Sequence, residues 1–247
     1  MPANPAASPR RRLLLLSSSR IHGSGYLEYA EAKVRSFLAG TTRILFVPYA
    51  LFDRDAYAEQ ARARFEKMGI ALDSIHRAKD PRSAILEAPA VFIGGGNTFR
   101  LLKNLQELSL LDAIRGRVAD GMPYMGSSAG SIVSCPTIRT TNDMPIVEPK
   151  SLEALGLVSF QINGHYLDPD PRSTHMGETR EVRLLQFHEE NEAPVVGLRE
   201  GAMLRVEGRQ VLLEGVASAR IFRRGRERLD IAPEAVLNEY LDPEAAG

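Results

Sequence analysis

The feature that most constrains the fold is an alternation of short apolar runs with longer segments of mixed character. Short, largely apolar runs are typical of parallel strands buried on both faces. Five such runs lie at residues 13–17, 44–48, 71–75, 90–93 and 123–125. The segments between them carry apolar residues among charges, as amphipathic helices do, at 25–39, 55–68, 81–87 and 98–120. The alternation predicts an α/β fold in which a mostly parallel sheet is covered by helices on both faces.

The chain changes character after about residue 160. Shorter strand-like pieces follow one another at 195–198, 202–206, 210–213 and 219–222, with turn residues between them. We expect these strands to extend or cap the same sheet. A chain of 247 residues can bury one full core, so we predict a single α/β domain over residues 13–240. The Pro/Ala-rich residues 1–12 are predicted to be a disordered leader.

Composition narrows the function. Charged residues make up 25% of the chain and the formal net charge is zero, which gives no support for a nucleic acid or membrane partner. The sole cysteine, Cys135, cannot form an internal disulfide, and no CxxC or His/Cys cluster suggests zinc. These observations favour a cytoplasmic enzyme that acts on a small molecule and needs no metal or cofactor.

A candidate nucleophile lies directly after the fifth apolar run, where Ser128 is the central residue of Gly126-Ser127-Ser128-Ala129-Gly130. A serine on a sharp strand-to-helix turn needs small neighbours, since larger ones would clash with the strained backbone. Such a turn exposes the hydroxyl and aims the next amide, that of Ala129, at a developing oxyanion. The alternative is an ordinary turn rich in small residues.

The fourth apolar run is followed by Gly94-Gly95-Gly96-Asn97-Thr98, which leaves backbone amides uncovered ahead of a helix. We predict that Gly95 and Gly96 contribute to an oxyanion hole together with Ala129. A nucleotide site is the weaker interpretation, because the segment lacks both the lysine of a phosphate-binding loop and the spacing of a dinucleotide fingerprint.

A serine needs a base, and the chain has five histidines. His165 is preferred because it follows a strand-like alternation and enters a loop, where its side chain can project over the sheet end. A purely structural histidine is the alternative. For the acid that orients it, the residues offer Asp143 and Glu200, both next to turns, and their spacing does not choose between them.

Several motifs together resemble a known family. The strings VFIGGGNTFRLLK, GSSAGS, CPTIRTTNDMPIVEP, QINGHY, GETR and GLREG occur in the order found in the bacterial peptidase E (α-aspartyl dipeptidase) family of serine peptidases. The resemblance covers roughly residues 13 to 222. It implies a flavodoxin-like sheet similar to that of class I glutamine amidotransferases, and hydrolysis of dipeptides with an N-terminal aspartate (Asp-Xaa).

The resemblance also assigns roles to residues. It implies that Ser128 is the nucleophile and His165 the base, and it places both Asp143 and Glu200 in motifs regarded as the source of the triad acid. We list Asp143 first and Glu200 as its rival. The chain departs from the family at Ser127, where Trp is common, and at Gly164, where Pro is common.

Recognition of aspartate requires a cation for its side-chain carboxylate, and Arg139 and Arg180 lie in family-like motifs. The free α-amino group requires an acceptor, either Glu178 or the acid that the triad does not use. A homodimer is expected only from the resemblance. Three rival interpretations remain: a related amidase or aspartyl-polymer hydrolase on the same fold, a non-catalytic α/β anion-binding protein, and a thiol enzyme that uses Cys135.

Overall fold

The computed structural model describes residues 10–174 and 176–241, so most of the predicted leader lies outside the described residues. The strands, in chain order, are β1 (Arg12–Leu16), β2 (Arg43–Val47), β3 (Ala71–Ser74), β4 (Val91–Ile93), β5 (Tyr124–Ser127), β6 (Gln161–Asn163), β7 (Val195–Leu198), β8 (Ala202–Glu207), β9 (Gln210–Gly215), β10 (Ala219–Phe222) and β11 (Leu229–Ile231). The helices are α1 (Glu31–Phe37), α2 (Arg54–Lys67), α3 (Pro81–Glu87), α4 (Thr98–Glu107), α5 (Leu111–Ala119), α6 (Ala129–Ile132), α7 (Arg180–Glu190) and α8 (Asn238–Leu241).

The main sheet has seven strands in the order β3-β2-β4-β5-β1-β8-β9. The first five of these are mutually parallel and correspond to the five apolar runs of the sequence. Strands β8 and β9 continue the sheet in antiparallel fashion beyond β1. The predicted α/β fold with a mostly parallel sheet is therefore confirmed.

Helices cover both faces of this sheet, and β1 shows how. Leu13 and Leu15 belong to the core cluster that includes residues of α3, α4 and α5, whereas Leu14 and Leu16 belong to the cluster that includes residues of α1 and α2. Successive side chains of a strand point to opposite faces, so an unbroken leucine run supplies both cores at once.

Two predicted helices differ from the structure. The segment 98–120 forms two helices, because Ser109 adopts a φ of 54° between α4 and α5 and breaks the helical path. The segment 25–39 is helical only over α1, from Glu31 to Phe37. In both cases the apolar spacing continues through a turn, so spacing alone does not show where the helix ends.

The late strands do not all join the main sheet as expected. Strands β7 and β10 instead form a second sheet of four strands in the order β11-β10-β7-β6, in which β6 and β7 are parallel. Strand β7 is buried along its whole length. Its apolar sequence predicts that the strand is buried, but it does not show which sheet the strand joins. Among the described residues, no helix is long and apolar enough to cross a membrane.

Candidate active site

Ser128 lies on a sharp turn between β5 and α6, with a φ of 51° and a ψ of −113°. Few side-chain-bearing residues adopt a positive φ, and such strain concentrates at functional sites. The flanking glycines allow the turn: a Cβ at Gly126 would lie 2.5 Å from the Gly130 carbonyl oxygen, and one at Gly130 would lie 2.0 Å from the Ile93 carbonyl oxygen. The small residues around Ser128 are therefore required by backbone contacts.

His165 follows β6 and also has a positive φ, 51°. Its Nε2 lies 3.1 Å from the Ser128 hydroxyl. Its backbone amide donates to the hydroxyl of Ser17 at 3.0 Å, and that hydroxyl donates to the Leu198 carbonyl at 2.8 Å. Ser17 thus ties the end of β1 to the His165 turn and to the end of β7. Ser17 ends the first apolar run, and its sequence context gives no signal for this role.

Glu200 lies in the turn between β7 and β8, and its Oε1 is 2.7 Å from Nδ1 of His165. An ionised carboxylate can only accept, so Nδ1 carries the proton of this hydrogen bond. In the neutral ring, Nε2 is then left to accept the Ser128 hydroxyl. The side chains of His165 and Glu200 are 44% and 54% exposed, so a substrate can reach this line of three groups from solvent.

The order of preference between the two acids is corrected here. The Asp143 carboxylate accepts from the Thr98 amide at 2.7 Å and from the Thr98 hydroxyl at 2.5 Å, at the start of α4. Glu200, not Asp143, is the acid that hydrogen-bonds His165. The reason is that the Asp143 carboxylate is held by Thr98 at the start of α4, whereas the turn after β7 brings Glu200 to His165.

The segment that contains Asp143 still supports the site. The Thr140 hydroxyl donates to the Ile162 carbonyl at 2.9 Å, and the Asn142 side-chain amide donates to the Gly164 carbonyl at 2.8 Å. These bonds hold β6 and the residue directly before His165. The TTND string thus holds the His165 turn as well as the N-terminus of α4.

The Gly94-Gly95-Gly96 loop packs beside the serine. A Cβ at Gly95 would lie 3.0 Å from Cβ of Ser128, and Gly96 has a φ of 135° against the Ala50 carbonyl. Behind the loop, a Cβ at Gly94 would lie 2.6 Å from the hydroxyl of Tyr57, which the Gly95 amide also faces. Burial raises the pKa of Tyr57, so this hydroxyl stays neutral. Of the predicted donors, Gly95 therefore lies beside Ser128 in space with its amide toward Tyr57, and Ala129 follows Ser128 in sequence.

The two predicted carboxylate-binding arginines have different positions. Arg180 is the first residue of α7, and its guanidinium is close enough to Asp143 for the two charges to interact. Burial lowers the pKa of Arg180, and the Asp143 charge opposes that effect. Arg139 is exposed between the buried residues Ile138 and Thr140, and within the described chain no side-chain contact joins it to the other predicted site residues.

The other candidates have different partners or surroundings. His76 contacts Ser74 and Asp55, His188 contacts the Asn191 carbonyl, and His22 is exposed. His175 lies outside the described residues. Cys135 is fully buried, and burial raises its pKa to about 12, so its thiolate is not available as a nucleophile near neutral pH. No cluster of three or more potential metal ligands occurs in the described ranges.

The arrangement of hydroxyl, imidazole and carboxylate has a definite chemical capacity. The imidazole can take the Ser128 proton as the oxygen attacks a carbonyl carbon, and the carboxylate stabilises the imidazolium that forms. Amides beside the serine can then receive the negative charge on the carbonyl oxygen. The site is built for acyl transfer to serine.

Comparison with known proteins gives concordant matches. A family model described as peptidase family S51 matches residues 13–214. Peptidase E of Streptomyces coelicolor is 54% identical over 230 residues, which cover 93% of this chain and 95% of the relative. A Drosophila melanogaster protein named "Probable alpha-aspartyl dipeptidase" is 48% identical over 234 residues, which cover 94% of this chain and 98% of the relative.

A solved structure shares the fold. A peptidase from an acI-B1 Actinobacterium superposes with a TM-score of 0.68 over 92% of this chain and 96% of its own, at 16% sequence identity. At that identity the likeness supports the fold alone.

Proposed function

Since this chain belongs to peptidase family S51, we propose that it is a serine-type dipeptidase that hydrolyses dipeptides with an N-terminal aspartate. The names of the relatives, peptidase E and alpha-aspartyl dipeptidase, supply the substrate class. The observation that carries the proposal is the line of hydrogen bonds from Ser128 through His165 to Glu200.

The proposed reaction proceeds through an acyl-enzyme. Ser128 Oγ attacks the scissile carbonyl carbon while Nε2 of His165 takes the hydroxyl proton. The C–N bond then breaks, and His165 gives the proton to the departing amino group of the second residue. A water molecule attacks the aspartyl ester with His165 again as base, which releases aspartate and restores Ser128.

In our proposal, Glu200 and the backbone amides near Ser128 assist the reaction. Glu200 keeps the His165 ring in the tautomer with Nε2 free to accept and stabilises its charged form. The Ala129 amide and the Gly96 amide stabilise the oxyanion of the tetrahedral intermediate, since the Gly95 amide faces Tyr57. No step calls for a metal or a cofactor.

Aspartate selectivity is proposed to come from charges beyond the triad. Arg180 is a suitable partner for the substrate's side-chain carboxylate, because it is partly buried and none of the described residues forms an ion pair with it. The carboxylate of Asp143, which does not contact His165, is the proposed acceptor for the free α-amino group. The exposed position of Arg139 makes it the weaker candidate.

We also propose that the enzyme works in the cytoplasm on free dipeptides. The buried thiol of Cys135 suits a reducing compartment, since it is the one cysteine of the chain. A homodimer stays an expectation from the family resemblance.

The test is a substrate panel assayed with the wild-type protein in the presence of a chelator. Asp-Leu, Glu-Leu, Asn-Leu and N-acetyl-Asp-Leu differ in side-chain length, side-chain charge or amine charge. The proposal predicts rapid cleavage of Asp-Leu alone. Cleavage of N-acetyl-Asp-Leu at a similar rate would instead indicate a broader amidase or an aspartyl-polymer hydrolase, and no cleavage of any member by the folded protein would favour the anion-binding alternative.

A further inference from the structure

An ion pair joins the two turns that carry His165 and Glu200. Arg199 directly precedes Glu200, and Asp168 lies three residues after His165. Arg199 Nε donates to Asp168 Oδ2 at 2.7 Å and Nη2 donates to Asp168 Oδ1 at 2.8 Å. This two-pronged geometry constrains both distance and direction, so it fixes one turn relative to the other.

Two more of the five N–H donors of Arg199 are also engaged. Nη1 donates to the Ser218 hydroxyl at 2.8 Å, and Nη2 donates to Asp230 at 2.7 Å. The Arg199 side chain is 19% exposed, so it is held away from bulk water. Two carboxylates, those of Asp168 and Asp230, therefore hold the Arg199 guanidinium in place.

The Arg199–Asp168 ion pair is linked to residues of the second sheet. Two guanidinium groups lie near the ring of Tyr166, the residue next to His165, with Arg199 at 5.6 Å and Arg220 at 5.9 Å from the ring centre. A Cβ at Gly197 would lie 2.9 Å from that ring, so glycine is needed for the contact. Arg220 in turn pairs with Asp230 at 2.5 Å. The network therefore anchors the His165 turn to β7, β10 and β11 at once.

We infer that Arg199 and Asp168 are positioning residues that set the distance between His165 and Glu200. The inference rests on the proposed function, because it assigns these residues to the same reaction. Their side chains join the two turns that carry His165 and Glu200, so their effect on the reaction is placed at the His165–Glu200 contact. Arg199 does not need to contact the substrate for this role.

The test is a double-mutant cycle in the full chain. Asp168→Asn removes the charge from the pair and leaves the size of the side chain unchanged. We expect kcat for Asp-Leu to fall on the order of tenfold while KM changes by less than about twofold, because misplaced catalytic groups slow the chemical step without altering substrate contacts. Arg199→Lys should act in the same direction, since an ammonium cannot form the two-pronged contact.

The same substitution made in a Glu200→Ala protein distinguishes an effect on the position of Glu200 from a general loss of stability. In the Glu200→Ala protein, the addition of Asp168→Asn should have little further effect on kcat, because the contact that it adjusts is already lost. Asp170→Asn is the matched control: the same loop loses the same charge at a residue that contacts Arg172 rather than Arg199. The control should match the wild type.

Thermal melts identify folded protein, and a fluorophosphonate that labels Ser128 gives a readout independent of the dipeptide. If the proposed substrate is wrong, Asp-Leu is not cleaved by the wild type, yet slower labelling of Asp168→Asn than of Asp170→Asn still supports positioning. A fall in melting temperature with unchanged kcat and labelling rate in folded protein would overturn the inference. The inference would also be overturned if Asp168→Asn lowered kcat by the same factor in the wild type and in the Glu200→Ala protein.

Discussion

At Ser128 and His165 the backbone holds a φ of 51°, a conformation that side-chain-bearing residues seldom adopt. The sequence indicated both residues, because small neighbours and a strand-to-loop transition leave local signals. It could not choose the acid. Asp143 and Glu200 each sit beside a turn, and only the path of the chain through the second sheet brings Glu200 to His165.

The two acids give a prediction at the residue scale. Glu200→Ala should lower kcat for Asp-Leu on the order of a thousandfold with little change in KM, since the imidazolium loses its partner. Asp143→Asn should mainly raise KM, by about ten- to a hundredfold, because it weakens the proposed charge-assisted bond to the substrate amine. Steady-state kinetics of the two variants check this. The reverse pattern, with kcat lost in Asp143→Asn and retained in Glu200→Ala, would restore Asp143 as the triad acid.

At the scale of elements, the sequence predicted the five parallel strands because each lies in a short, largely apolar run between helical segments. It missed the division of 98–120 into two helices, since Leu110 and Leu111 continue the apolar spacing through the turn at Ser109. It also missed the second sheet. Which sheet a buried strand joins depends on pairing between residues distant in sequence, such as Ala219 with Leu198.

The strand-to-helix turn at Ser128 gives a second prediction. Gly130→Ala places a methyl group 2.0 Å from the Ile93 carbonyl oxygen, so β4 and α6 must separate. We expect a loss of at least about 3 kcal/mol in the free energy of unfolding. Urea denaturation measures it. The matched control is Gly116→Ala in α5, where an added Cβ meets nothing within 4 Å. This substitution should stabilise the protein by about 0.5–1 kcal/mol, because alanine favours a helix over glycine. Equal stabilities of the two variants would contradict the close packing of β4 and α6.

For the molecule as a whole, the site lies where the two sheets meet. Ser128 and the glycine loop follow strands of the main sheet, whereas His165 follows a strand of the second. Glu200 lies in the connection from β7 in the second sheet to β8 in the main one. The main-sheet half of the site was predictable, because strand ends of a parallel sheet share one edge. The other half was not, since it depends on the second sheet.

One comparison tests the central claim that Ser128 is the nucleophile of an Asp-Xaa dipeptidase. Ser127 and Ser128 are adjacent, but the Ser127 hydroxyl is fully buried and, among the described residues, has no hydrogen-bond partner. Measurement of kcat/KM for Asp-Leu in Ser128→Ala and Ser127→Ala therefore compares the removal of the same hydroxyl group at two adjacent positions. The account predicts a loss of about 10⁴-fold or more in Ser128→Ala and near-normal hydrolysis in Ser127→Ala. Hydrolysis retained by folded Ser128→Ala would contradict it.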